Sequence, residues 1–214
     1  MSHETTKAMR RRWAEHDAGG FPWSDLFKGQ VLDVGSGDDP LIIDSACTTF
    51  FDLPDGGGDD LTEFFPKARG FYDVIHGSQV LEHMISPTTA LASWLEMVKP
   101  GGLIIATVPD YELYEHLTFP SKWNAGHRST WSMTLEKRPS HRPDSQGDCG
   151  NPQCPTCYAT HIKLPKWLEI FDAEVVLCRL VDTNYDRAVG PDVDQTLDAA
   201  KGVEAFIELV LRKP

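Results

Sequence analysis

Apolar residues in this chain fall into short blocks set between turns rich in glycine, proline and aspartate. Residues 5–17 carry the spacing of a short helix, closed by Gly19-Gly20. Gln30–Val34 reads as a first strand and Thr48–Asp52, "TTFFD", as a second, rich in aromatic and β-branched residues. "FYDVIHG" (71–77) is a further strand, and "LIIATV" (103–108) is a continuous apolar run suited to a strand buried on both faces. Between them, 86–102 predicts a helix. Ser86 or Thr88 can cap it, Pro87 sits early, Leu91, Trp94, Leu95 and Val98 share one face, and Pro100-Gly101-Gly102 stops it. Trp94 and Met97 read as core.

This alternation implies a parallel sheet covered by helices on both faces, an α/β architecture. "EVVLCRLV" (174–181) and "EAFIELVLR" (204–212) predict two strands near the end, the second antiparallel to its neighbours and at or near the sheet edge. With no internal repeat and no linker, the expectation is one domain over 1–214, with an insertion at about 110–172 that covers a substrate.

Charge narrows the partners. Thirty-two acidic residues against 20 basic ones give a formal net charge of -12, which argues against broad binding to nucleic acid or anionic membrane. Arg10-Arg11-Arg12 reads as a solvated helix face beside Trp13. No run approaches the roughly 20 apolar residues of a membrane span, and the polar start lacks the apolar centre of a secretory signal. A cytoplasmic protein with reduced thiols is expected.

The first strand runs into "VLDVGSGDDP" (31–40). Ligands of open α/β sheets bind beyond the carboxyl ends of the strands, where this turn lies. Asp52 ends the second strand about 20 residues after the first, the position of a carboxylate that accepts hydrogen bonds from a ribose diol. A dinucleotide turn would offer N–H groups to a pyrophosphate. Here Pro40 replaces the third glycine and Asp38 and Asp39 would repel phosphate. A nucleoside carrying positive charge, such as S-adenosylmethionine, fits better.

Four pieces in order, VLDVGSGDDP, FFD, FYDVIHGSQVLEHM and VKPGGLIIATVP, resemble the class I S-adenosylmethionine-dependent methyltransferases, especially the small type 11-like ones. The resemblance covers roughly residues 29–110 and departs from the pattern at Pro40 and in the poorly helical segment after it. It implies a Rossmann-like methyltransferase sheet and S-adenosylmethionine as cofactor. It also implies roles by position. Gly35, Ser36 and Gly37 would pass close to the methionyl part, with Asp33 positioning the loop. Asp52, followed by Leu53, would bind the ribose. Asp60 and Leu61 would stand at the adenine amino group, and His76, Gly77 and Ser78, with Leu81 nearby, under the sulfonium.

After Val108, "PDYELYEHLTFPSKWNAGHRSTWS" resembles a segment of methyltransferases that act on sugars or other small polar acceptors. A small-molecule or sugar hydroxyl acceptor follows, with His127 and Asp110 as candidate catalytic bases and Tyr111 and Asn124 as orienting groups. His83 is read as structural. Trp123 and Trp131 serve either as core or as acceptor platforms. Cys149, Cys154, Cys157 and His161 have the ligand types of a tetrahedral zinc site; the alternative is a loop with free thiols, and no metal is assigned. Two rival functions stay open: a nicotinamide-dependent oxidoreductase and a non-catalytic S-adenosylmethionine-binding protein.

Overall fold

The computed structural model describes residues 3–44, 46–52, 59–135, 160–198 and 200–214. A long helix, α1 (Glu4–Asp17), and a single helical turn, α2 (Trp23–Leu26), precede strands β1 (Gly29–Val34) and β2 (Ala46–Phe51). A short helix, α3 (Leu61–Phe64), leads to β3 (Tyr72–Ser78), a 3-10 turn (Leu81–His83), α4 (Pro87–Met97) and β4 (Val98–Pro109). Then come β5 (Ser129–Ser132), β6 (Thr160–Lys163), α5 (Leu164–Leu168), β7 (Glu174–Val181), a second 3-10 turn (Gln195–Leu197) and β8 (Phe206–Arg212).

Six strands form the central sheet in the order β2-β1-β3-β4-β8-β7. β1 to β4 pair in parallel, and β8 runs antiparallel to both β4 and β7. The orientation of 204–212 and its place near the sheet edge are as the pattern implied. β7 takes the edge and β8 lies inside, which suits the side chains: β8 is buried along almost its whole length, whereas β7 is exposed or half-buried at every position but Val181.

Strand periodicity divides the core in two. Leu32, Ile75, Ile104 and Ala106 face α4 and the layer built by β5, β6 and α5, in a cluster that includes Trp94, Trp131 and Leu168. Val31, Val74, Leu103 and Ile105 face the other way, onto Trp23 and Phe27, with Met9 and Trp13 of α1 at the margin. The helix expected over 86–102 is shorter. Ser86 Oγ accepts the Thr89 N–H at 3.2 Å and Pro87 begins the first turn, but α4 ends at Met97 and 98–102 are already strand. Pro100 disfavours helical backbone at Lys99, and the freed segment pairs instead with the C-terminus, Gly101 N–H to Lys213 O and Lys213 N–H to Gly102 O.

One charge assignment is overturned. Arg12 is fully buried against Glu208 of β8 at 2.8 Å, and Arg11 binds Glu204 and the same Glu208. Arg11 and Arg12 are not solvated, because α1 lies across Glu208 of β8 and Glu204 just before that strand. In the insertion, β5 and β6 pair in parallel, and a bridge between Asp110 and Trp131 ties this small sheet to the end of β4.

Candidate functional site

The turn after β1 is built by left-handed backbone. Gly35 (φ +68) and Gly37 (φ +46) occupy conformations that side chains rarely adopt, and at Gly37 the space a Cβ would fill is open. Asp52, exposed at the end of β2, lays its Oδ1 on the Gly37 N–H at 2.8 Å and receives the Ser36 hydroxyl at 3.4 Å. Asp33 sits beneath the turn, 2% exposed. Its Oδ2 accepts the Leu41 N–H at 2.8 Å, so it braces the loop that replaces a helix between β1 and β2. Asp39, read as part of the ligand's electrostatic setting, instead holds the start of α1, accepting the Thr6 N–H at 3.0 Å.

Other positions expected around the cofactor have structural partners. His76 is wholly buried on the α1 side of the sheet, its Nδ1 2.7 Å from Asp33 Oδ1 and its Nε2 3.4 Å from Arg12 Nη1. It has no surface to offer a sulfonium. Gly77 faces the opposite side, where a Cβ would lie 2.5 Å from the Trp94 ring. Ser78 Oγ meets the Thr107 hydroxyl at 3.2 Å, and Leu81 is core. Asp60 caps α3 by accepting the Thr62 N–H at 2.8 Å, with Leu61 buried behind it. Neighbouring Asp59 accepts the Ile85 and Ser86 N–H groups at the entry to α4. Leu53 lies outside the described residues, as do Cys149, Cys154 and Cys157. Both ring nitrogens of His161 are hydrogen-bonded, to the Thr130 hydroxyl at 2.8 Å and the Leu135 carbonyl at 3.1 Å.

Beyond β3 the chain passes Val80, whose Cγ2 would meet a Cβ on Gly35 at 2.4 Å, and enters the 3-10 turn 81–83. The loop 124–128 closes on this turn. Arg128 N–H donates to Glu82 O at 2.7 Å, and His83 Nδ1 meets Gly126 O at 3.1 Å. Between them lies a cavity of about 110 Å³ whose lining includes Gln79, Glu82, His83, Tyr114, Asn124 and His127. His127 is buried; its Nδ1 is 2.5 Å from Glu115 Oε1 and its Nε2 is 3.9 Å from Glu82 Oε1. Burial pushes the Glu82 carboxyl up to about 7 and the His83 imidazole down to about 4. Burial opposes charge on His127 too, but the Glu115 hydrogen bond and the two carboxylates outweigh it and raise its pKa.

His127 and Asn124 are thus brought together with groups the sequence reading did not single out, namely Gln79, Glu82, Tyr114 and Glu115. The signal for Glu82 was there: it is the lone acid in the apolar stretch "SQVLEHM". Asp110 is elsewhere. Its Oδ1 accepts the Glu112 and Leu113 N–H groups at 3.0 and 2.9 Å, it is 2% exposed, and it does not line the cavity. Tyr111 is core, donating its hydroxyl to Leu117 O. Trp131 is core as well, edge-on to Trp167.

Solved structures of similar shape include a candidate methyltransferase from Bacillus halodurans (12% identity, 90% of this chain and 96% of that one, TM-score 0.49). Another is a candidate methyltransferase from Haloferax volcanii in complex with its Trm112 activator (13%, 99% and 97%, TM-score 0.46). A third is an S-adenosylmethionine-dependent methyltransferase from Aquifex aeolicus (11%, 90% and 87%, TM-score 0.44). No curated protein matches the sequence. The profile of a family described as a methyltransferase domain matches residues 6–138, well over half of the chain. The chain belongs to the class I S-adenosylmethionine-dependent methyltransferase family. In this methyltransferase the parallel half and the glycine turn fall within the matched residues, as do Gln79, Glu82, His83, Tyr114, Asn124 and His127 of the cavity. Among the described residues no helix is long and apolar enough to cross a membrane.

Proposed function

We propose that this methyltransferase acts on a small polar acceptor, a sugar or glycan hydroxyl, held in the cavity between the 3-10 turn and the loop 124–128. The observation that carries the reading is the lining itself: hydrogen-bonding Gln79, Asn124 and Tyr114 around the buried Glu82–His127 pair, just beyond Val80, which packs against Gly35 of the glycine turn. Bound S-adenosylmethionine supplies an electrophilic methyl group on a sulfonium. The turn fits such a ligand, since Gly37 leaves its outer side open and the Asp52 carboxylate stands exposed beside it. In this reading Asp52 exchanges its bond to Gly37 for the ribose hydroxyls, and Asp33 keeps the loop in place from below. Asn124 and Gln79 orient the acceptor. The Glu82–His127 pair takes up the proton that the acceptor's hydroxyl loses.

A dinucleotide is disfavoured on this scaffold. Among the described residues no helix opens after the glycine turn to receive a pyrophosphate, and the family is one of methyl transfer. The test is calorimetry with S-adenosylmethionine and NAD, followed by a methyl-transfer screen against sugars, nucleotide sugars and small phenols with product mass as readout. Binding of the sulfonium ligand and a mass gain on a hydroxylated acceptor are expected. NAD binding without sulfonium binding would overturn the cofactor; turnover confined to phenols would overturn the acceptor class.

A further inference from the structure

Glu82 is an anomaly among the buried charges. It is 0% exposed, and among the described residues neither carboxylate oxygen accepts a hydrogen bond from another residue. An isolated buried carboxylate is costly unless it meets a cation. Two imidazoles face it. The His83 and His127 rings are edge-on with centroids 4.9 Å apart. Each has its Nδ1 against an acceptor, the Gly126 carbonyl for His83 and the Glu115 carboxylate for His127. Nδ1 therefore carries the hydrogen, and Nε2 is the atom turned toward a ligand. Holding the far nitrogen against a carbonyl or carboxylate is how proteins fix the tautomer and raise the basicity of metal-binding histidines.

We propose that Glu82, His83 and His127 bind a divalent first-row transition cation through one carboxylate oxygen and two Nε2 atoms, with the remaining coordination positions open to the cavity. Two imidazoles and one carboxylate suit zinc, manganese, iron or cobalt and not the all-oxygen preference of magnesium or calcium. One possible ligand atom from each of the three residues lies within 4.8 Å of the others, and His127 Nε2 is 3.9 Å from Glu82 Oε1. Tetrahedral ligands at ordinary metal distances stand about 3.4 Å apart, so binding draws the side chains together by roughly 1 Å, into space the cavity provides. The cation takes the place of the proton that Glu82 and Glu115 attract to His127.

This inference rests on the acceptor cavity proposed above and changes what its walls do. With the cation bound, Glu82 and His127 are ligands and no longer the proton acceptors; the acceptor's hydroxyl is held and polarised at an open coordination position, and the proton it loses on methyl transfer passes to solvent water. Asn124, whose Nδ2 lies 3.5 Å from His83 Nε2, stands beside that position.

The experiment is titration of the EDTA-treated full chain with Co2+, followed by calorimetry and by the visible absorption of the bound ion. Four variants are compared: Glu82→Gln, His127→Asn, Glu115→Gln, and Cys149→Ser/Cys154→Ser/Cys157→Ser together. Circular dichroism and melting temperature accompany each, and S-adenosylmethionine affinity is measured throughout. The wild type and the triple cysteine variant are expected to bind one Co2+ per chain without a thiolate charge-transfer band. Glu82→Gln and His127→Asn lose at least about 100-fold in affinity, and Glu115→Gln, which keeps all three ligands, loses about 10- to 100-fold. Folded Glu82→Gln that binds Co2+ like wild type, binding lost only in the triple cysteine variant, or no Co2+ binding by wild type would each overturn the site. S-adenosylmethionine binding retained alongside any of these leaves the methyltransferase reading standing; its absence in wild type overturns that reading separately.

Discussion

Glu208→Gln tests the charge network under α1, and the structure sets an asymmetry that can be measured. Glu208 is fully buried on β8 and accepts N–H groups from three arginines: Arg11 Nη2 at 2.6 Å, Arg12 Nε at 2.8 Å, and Arg179 Nε and Nη2 at 3.0 and 2.8 Å. The three cations depend on it unequally. Arg11 keeps Glu204 at 2.9 Å, and Arg179 keeps Glu15 through bonds at 2.9 and 2.6 Å. Arg12 has Glu208 as its only carboxylate partner among the described residues and lies fully buried against the Trp23 and Phe27 rings, 4.9 and 5.9 Å from their centroids. Glu208→Gln therefore strands the Arg12 charge, a loss of about 3–5 kcal/mol. Arg12→Leu leaves Glu208 with two cations and places an aliphatic chain between aromatic rings, so it costs about 1–2 kcal/mol. Urea unfolding at unchanged m-value measures both. In a chain of this size each kcal/mol shifts the melting temperature by about 2–4 °C. Equal losses, or a larger loss for Arg12→Leu, would refute the dependence of Arg12 on a single carboxylate.

Asp52→Ala is expected to weaken S-adenosylmethionine binding by about 1.5–3 kcal/mol, the worth of hydrogen bonds to a charged group; an unchanged dissociation constant removes Asp52 from the site. Burial pushes the Asp110 carboxyl up to about 6 from 3.8. Its raised folded pKa makes its stabilisation complete below pH 3.8 and lost as pH rises through about 6. Asp110→Asn, which keeps an oxygen for the Glu112 and Leu113 N–H groups, should gain about 1–3 kcal/mol relative to wild type between pH 4 and pH 8 and keep its turnover. A pH-independent difference in urea midpoints contradicts the burial argument, and lost turnover at full stability restores Asp110 as a catalytic base.

The parallel half of the fold was legible because local signals agreed there. Apolar strands, a glycine turn and a capped helix each point to one arrangement without help from distant residues. The 3-10 turn cluster was not, since Glu82 and His127 lie far apart in sequence and meet only when the loop 124–128 closes on the turn. Arg12 failed for a related reason. A basic run on a helix looks solvated until Glu208 of a strand nearly two hundred residues later, and Glu204 just before it, are seen to face it. His76 looked like a ligand contact because of where the family motif falls, but strand alternation puts it on the face of Val74, toward α1.

That placement joins the two ends of the chain to the cofactor turn. Asp33 under the turn holds His76, His76 meets Arg12 of α1, and Arg12 is neutralised by Glu208 of β8. Each member is buried, so removing one disturbs the hydrogen bonds of the next. The turn that receives the cofactor is thus fixed from below by a helix before β1 and a strand at the end of the chain, neither of which belongs to the glycine motif. Glu208→Gln should for that reason loosen the loop Gly35–Leu41 as well as the core. Hydrogen exchange at the Leu41 amide, which is held by Asp33 at 2.8 Å, reports it. Faster exchange there in Glu208→Gln than in Arg12→Leu is the expected order, because an unpaired arginine disturbs His76 more than an aliphatic side chain does. The same rate in both variants would mean that Asp33 and His76 hold the turn without the helix.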